Sequence, residues 1–155
     1  MKQVKGDIIE LFKSGQFNVM IQGCNCWNRM GSGIALQIKE NFPEAWEVDR
    51  HTIKGYREKL GRFTTATVGD NQRIYNAYTQ FNYGYDGLLY TDYKAVRQVF
   101  RKLYDVLNCG TKNKMFKICY PKIGCGLGGG DWEIVSNIIN EELRDLDHTY
   151  VEYDQ

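Results

Sequence analysis

CYPKIGCGLGGGDW, residues 119–132, places five glycines in the seven positions from Gly124 to Gly130. Glycine is destabilising inside helices and strands. It is kept where the chain needs positive φ or where something must approach bare backbone. KICYP before the run reads as a strand and DWEIVSNII after it as a helix capped by Asp131, so the glycines form a strand-to-helix loop. In open α/β sheets ligands gather beyond the carboxyl ends of strands, where loop N–H groups and the positive end of a helix dipole favour an anion. A plain connector is shorter and needs one or two glycines.

Gly124-x-Gly126-x-x-Gly129 also fits the dinucleotide fingerprint of a Rossmann domain. That fingerprint opens an early βαβ unit, whereas only 26 residues follow Gly129 here. Gly130 is followed by Asp131 and not by Lys-Ser/Thr, which excludes a phosphate loop of the nucleoside triphosphatase kind. What survives is a diphosphate or similar anion held by backbone amides. A second glycine loop, Met30-Gly-Ser-Gly-Ile34, also lies between a predicted strand and helix, so the two read as walls of one cleft.

Outward from these loops, residues 2–5 alternate as a short strand and Ile8, Ile9, Leu11 and Phe12 form a brief helical turn. FNVMIQGC, Phe17–Cys24, is a strand. Ser32 begins a helix carrying Ile34, Ala35 and Ile38, and Pro43 opens another that runs to about Ile53. Arg62–Val68 and Arg73–Thr79 are strands joined by the turn GDN. Thr91 reads as the cap of a long helix with Val96, Val99, Phe100, Leu103 and Leu107 on one face. Met115–Tyr120 is a strand, the helix after Asp131 buries Val135, Ile138, Ile139, Leu143 and Leu146, and a last strand spans about Thr149–Tyr153. The order β-α-β-α-α-β-β-α-β-α-β predicts one α/β domain over residues 1–155, a three-layer α/β/α fold around a mixed central sheet.

Composition is consistent with one domain that buries on the order of 70% of its unfolded surface. The formal charge is +1 with both signs interspersed, so there is no basic field of the sort that duplex nucleic acid selects. No apolar run approaches the roughly 18 residues of a membrane span, and no leader pattern stands at the start. A soluble cytoplasmic protein, monomeric and without membrane partners, is expected. Cys24, Cys26, Cys109, Cys119 and Cys125 are odd in number and irregular in spacing, which reads as free thiols. His51 and His148 make no metal-ligand spacing with them, so neither a metal nor a cofactor is expected.

Four motifs in register, Gly6-Asp7-Ile8, Cys24-Asn25, Gly31-Ser-Gly-Ile-Ala35 and Ile123-Gly-Cys-Gly-Leu127, make the chain resemble the macrodomain family from about Val4 to Tyr153. Within it the chain is similar to the branch of ADP-ribose-1''-phosphate phosphatases and terminal ADP-ribose protein glycohydrolases. The resemblance implies that Asp7 accepts from the adenine amino group, with Gly6 and the Ile8 N–H beside it. Gly23, Cys24 and Asn25 would meet the distal ribose. Met30, Gly31, Ser32, Gly33, Ile34 and Ala35 would wall it, and Ile123, Gly124, Cys125, Gly126, Leu127, Gly128 and Gly129 would cradle the diphosphate. Tyr153 would pack near the adenine, while Trp132 anchors the last helix. Neither loop holds a histidine to activate Cys24 or Cys125 as a nucleophile.

The chain departs from its relatives where they keep catalytic groups. The acidic residue that follows Gly-Cys-Gly-Leu in the glycohydrolases is Gly128 here, their lysine falls near Thr79-Gln80, and the histidine of some phosphatases falls at Gln22. Asn25 and Asp131 remain as catalytic candidates, placing a water. The first expectation is an ADP-ribose-1''-phosphate phosphatase. The alternatives are a reader of free or macromolecule-linked ADP-ribose, and a hydrolase that removes ADP-ribose from proteins or nucleic acid.

Overall fold

A computed structural model describes residues 1–108 and 116–153. Cys109 and Met115 lie outside the described residues. Six strands form one sheet in the order β1-β6-β5-β2-β4-β3: β1 Lys2–Gly6, β2 Val19–Asn25, β3 Phe63–Val68, β4 Gln72–Gln80, β5 Ile118–Tyr120 and β6 His148–Tyr153. Every neighbouring pair is parallel except β3 with β4, so the sheet is mixed as the element order implied.

Side chains alternate across the pleat and sort into two cores. Val19 and Ile21 face helices α4, Tyr93–Leu107, and α5, Trp132–Leu143. Met20 points the other way, among α1, Ile8–Lys13, α2, Gly33–Asn41, and α3, Pro43–Arg50. Residues Val19 to Gln22 are all fully buried, which is why this strand reads as a nearly unbroken apolar run. A smaller third cluster gathers Cys24, Cys26, Met30 and Tyr78 beneath the loop after β2. On the outer surface Arg97 and Arg101 of α4 share Glu142 of α5.

Element boundaries moved where local hydrogen bonds compete. Phe17 is buried ahead of the strand, which starts at Val19. Helix α3 stops at Arg50 because Thr52 turns back, both its N–H and its hydroxyl donating to Asp49 O, at 3.0 and 2.6 Å. Asp92, one residue beyond the expected Thr91, caps α4 by accepting from Ala95 N. Ser32 precedes α2 without any side-chain cap bond.

The topology locates the cleft. From β2 the chain leaves through α2 and α3 on one face, and from β5 it leaves through α5 on the other. Adjacent strands whose connections part in this way open a crevice at their carboxyl ends. The loops at residues 26–32 and 121–131 border it.

Candidate ligand cleft

Two adjoining hollows occupy that crevice, one of about 510 Å³ and one of about 290 Å³. They share Gly33, Ile34, Pro121, Val151 and Tyr153, so together they make one elongated groove. The larger lies within the range of ligand sites, roughly 300–1,000 Å³. Gly23, Cys24 and Asn25, the run Gly31 to Ala35, and the run Ile123 to Gly128 line it. Gly6, Asp7 and Ile8 line the smaller, and Tyr153 borders both.

Three expected residues line neither hollow. Met30 is buried under its loop against the third core cluster. Gly129 is turned toward the Leu88 carbonyl, which would stand 2.5 Å from a Cβ at that position. Asp131 spends its side chain on the cap of α5, accepting from Glu133 N at 2.9 Å.

The glycine run is explained mostly from within. A Cβ at Gly124 or at Gly128 would come within 2.7 or 2.6 Å of Thr91 Oγ1, and one at Gly130 within 2.7 Å of Gly124 O. Thr91 Oγ1 and Gly130 N both donate to Gly124 O, and the N–H groups of Tyr90 and Thr91 both donate to Gly128 O. The segment 88–91 therefore clamps four of the five glycines. Gly126 alone has open space where a Cβ would go. The N–H groups of Gly124, Gly126, Leu127 and Gly128 meet no acceptor among the described residues. Such amides on a loop form an anion-binding concavity.

The opposite wall is built similarly. Gly31 and Gly33 have nothing near a Cβ position, and Gly33 sits at φ +57, so an L residue there would be strained. Without a side-chain cap the first amides of α2 remain free to donate into the crevice.

At the end of the groove away from Asp7, Asn25 and Gln80 are register partners across a β-bulge. Asn25 is partly committed: its Oδ1 accepts from Trp27 N at 2.8 Å and its Nδ2 donates to Arg29 O at 3.1 Å. Gln80 lines the groove, with Nε2 donating to Asn82 O at 2.9 Å. Arg29, its guanidinium 5.2 Å from the Tyr83 ring centroid, borders the same hollow. Sequence reading omitted Arg29, Tyr83, Tyr85, Lys122 and Glu152 from this wall, and it noticed position 80 only as the place of a missing lysine. The parallel register of β2 with β4 puts Gln80 there, and no local motif encodes that register.

Gln22 is fully buried with Nε2 on Asn76 Oδ1 at 2.8 Å, and so does not reach the groove. Burial raises the Cys24 thiol well above its ordinary value and pushes Cys125 up to about 11. Both are protonated at neutral pH, the form that is not nucleophilic. Among the described residues no helix is long and apolar enough to cross a membrane.

The family model for the Macro domain matches residues 21–139, a span that covers both glycine loops and more than half of the chain. The chain belongs to the macrodomain family. This macrodomain is 32% identical, over 99% of its length and 97% of the relative's, to an uncharacterised 17.5 kDa protein of the tk-vs intergenic region of Enterobacteria phage T4. It is 28% identical to the ADP-ribose glycohydrolase OARD1 of Bos taurus, over 93% of this chain and 84% of that one. A protein of unknown function from Bacteroides thetaiotaomicron superposes with a TM-score of 0.79 at 28% identity, over 99% of this macrodomain and 97% of that chain.

Proposed function

We propose that this macrodomain binds ADP-ribose and hydrolyses the bond that joins the distal ribose C1'' to a substituent. The observation that carries the reading is the set of unpaired amides at Gly124, Gly126, Leu127 and Gly128, midway along a groove with Asp7 at one end and Asn25 and Gln80 at the other. Asp7 accepts from the adenine amino group, the amides hold the diphosphate, and the distal ribose lies between Asn25 and Gln80. The glycohydrolase name of the bovine relative supports an ADP-ribosyl linkage as the bond cleaved.

Hydrolysis here requires a water oxygen to bond to C1'' while the departing group takes the bonding electrons and a proton. Asn25 and Gln80 can orient that water but cannot take its proton. Gly128 and the neighbourhood of Thr79-Gln80 stand where the resemblance puts the acidic residue and the lysine of the glycohydrolases, which favours a substrate-assisted route with a diphosphate oxygen accepting the proton.

Arg29 favours a second reading. The residue lines the same hollow as Asn25, and a guanidinium suits a phosphate carried on C1''. On that reading water attacks phosphorus, the bond from phosphorus to the C1'' oxygen breaks, and ADP-ribose departs taking the bonding electrons and a proton, which leaves inorganic phosphate.

Purified protein incubated with ADP-ribosylated protein, ADP-ribosylated DNA and ADP-ribose-1''-phosphate separates these readings. Release of ADP-ribose from a macromolecule supports the first, and release of inorganic phosphate the second. Tight ADP-ribose binding by calorimetry with every substrate unchanged leaves a reader, and absence of binding removes the proposal.

A further inference from the structure

Lys59 is buried, an unusual place for a lysine, in the short 3-10 turn Arg57–Lys59. Its ammonium donates to two neutral oxygens, Asn28 Oδ1 at 2.6 Å and Thr52 Oγ1 at 2.8 Å, and lies 5.3 Å from the Tyr78 ring centroid. The nearby carboxylate, Asp49, instead accepts from Tyr78 OH at 2.7 Å. Taking a cation out of water is costly, and here the charge is used to grip an amide side chain.

That amide belongs to a residue in an uncommon conformation. Asn28 has φ +56, the one non-glycine residue in the left-handed region among those described. Asparagine enters this region more readily than most residues, and a second grip reinforces it, since Asn28 Nδ2 donates to Thr52 O at 3.0 Å. The left-handed residue lies inside the loop that Asn25 closes on either side, at Trp27 N and at Arg29 O. Gly55 supports the loop from the same segment, donating to Cys26 O at 2.8 Å.

We infer that Lys59 is a positioning residue for the distal-ribose end of the groove: by holding the Asn28 side chain it fixes the left-handed turn that aims Asn25 and Arg29 into the cleft. The inference rests on the ADP-ribose reading above for its functional consequence. The mechanical part stands on the loop alone.

Two readouts test it in Lys59→Met, Asn28→Gly and the double variant, each first confirmed as folded by its melting transition. Glycine reaches positive φ as readily as negative φ, so it permits the turn without fixing it. Lys59→Met is expected to weaken ADP-ribose binding by about tenfold or more, the scale of misplacing a site group by a fraction of an ångström to an ångström. It should also speed amide exchange at Trp27, whose N–H is held by Asn25. Asn28→Gly removes the group that Lys59 grips and leaves the buried ammonium one acceptor short, so it should weaken binding and speed Trp27 exchange much as Lys59→Met does. Because both act through one contact, the double variant should lie within about threefold of the single variants.

Wild-type behaviour in Lys59→Met overturns the inference. So do losses that multiply in the double variant, which would mean that the two side chains act independently and that Lys59 is a general packing residue. Should the wild-type protein bind no ADP-ribose, the functional reading fails and Trp27 exchange still decides the positioning role.

Discussion

Thr91 Oγ1 donates to the Gly124 carbonyl at 2.6 Å, so the residue just before the Asp92 cap of α4 helps to fix the entrance of the glycine loop. Thr91→Val keeps the shape and removes the donor. The expected cost is about 1 kcal/mol of stability, read from urea denaturation, together with a several-fold loss of ADP-ribose affinity. Unchanged affinity would mean that the loop holds its form without the clamp.

Gly126→Val should leave the fold intact and abolish ADP-ribose binding. Gly126 has no positive φ and no neighbour at the Cβ position, so the valine side chain projects into the groove and meets only the ligand. Gly129→Ala makes the contrast, because φ +72 and the Leu88 carbonyl at 2.5 Å both oppose a Cβ. Its melting temperature should drop even without ligand. A folded Gly126→Val protein whose melting temperature rises with ADP-ribose as wild type does would reduce the loop to a connector.

Asp7 has two duties that two substitutions separate. Its Oδ1 caps α1 by accepting from Ile9 N at 2.9 Å, and the residue also lines the smaller hollow. Asp7→Ala should lose the cap, about 1 kcal/mol, and the adenine contact with it. Asp7→Asn keeps an oxygen for the cap while replacing one carboxylate oxygen by a donor, so adenine affinity should fall with little change in stability. Equal affinities for Asp7→Asn and wild type in calorimetry would remove Asp7 from adenine recognition.

Acid should destabilise the sheet through His148. Burial, followed by the positive amino terminus, lowers this histidine from 6.5 to about 4, and Tyr120 OH shares a 2.7 Å hydrogen bond with its Nδ1. Between those values the unfolded chain binds a proton that the folded chain does not, so stability falls as pH drops from about 6.5 toward 4. The loss expected is about 2–3 kcal/mol. His148→Leu should flatten that segment of a melting-temperature profile, and an equally steep variant profile would assign the acid sensitivity to other groups.

The order of elements was legible because Val19–Gln22 and the faces of α4 and α5 carry clean apolar patterns, and Asp131 caps where a cap residue stands before such a pattern. The partners of the glycines were not. Residues 124–130 are shaped by Thr91 and Leu88, more than thirty positions earlier, and a contact of that reach leaves no trace in either stretch alone. Thr91 itself read as a helix cap because threonine suits that position, whereas its hydroxyl turns across the loop and leaves the cap to Asp92. Asp131 was tied to the groove by its nearness in sequence, whereas its Oδ1 accepts from Glu133 N at the cap of α5 and the residue lines neither hollow.

The open space at Gly31 also makes it an attachment point. A cysteine introduced at Gly31, and not at Gly126 where a side chain blocks the ligand, could carry an environment-sensitive dye without crowding the protein. Arrival of a nucleotide would displace the dye from the groove and change its emission, turning the chain into an optical sensor. At Gly128 the same chemistry would break the clamp that shapes the site, so a reporter for this fold has to be placed by the glycine's neighbours and not by its proximity to the phosphates.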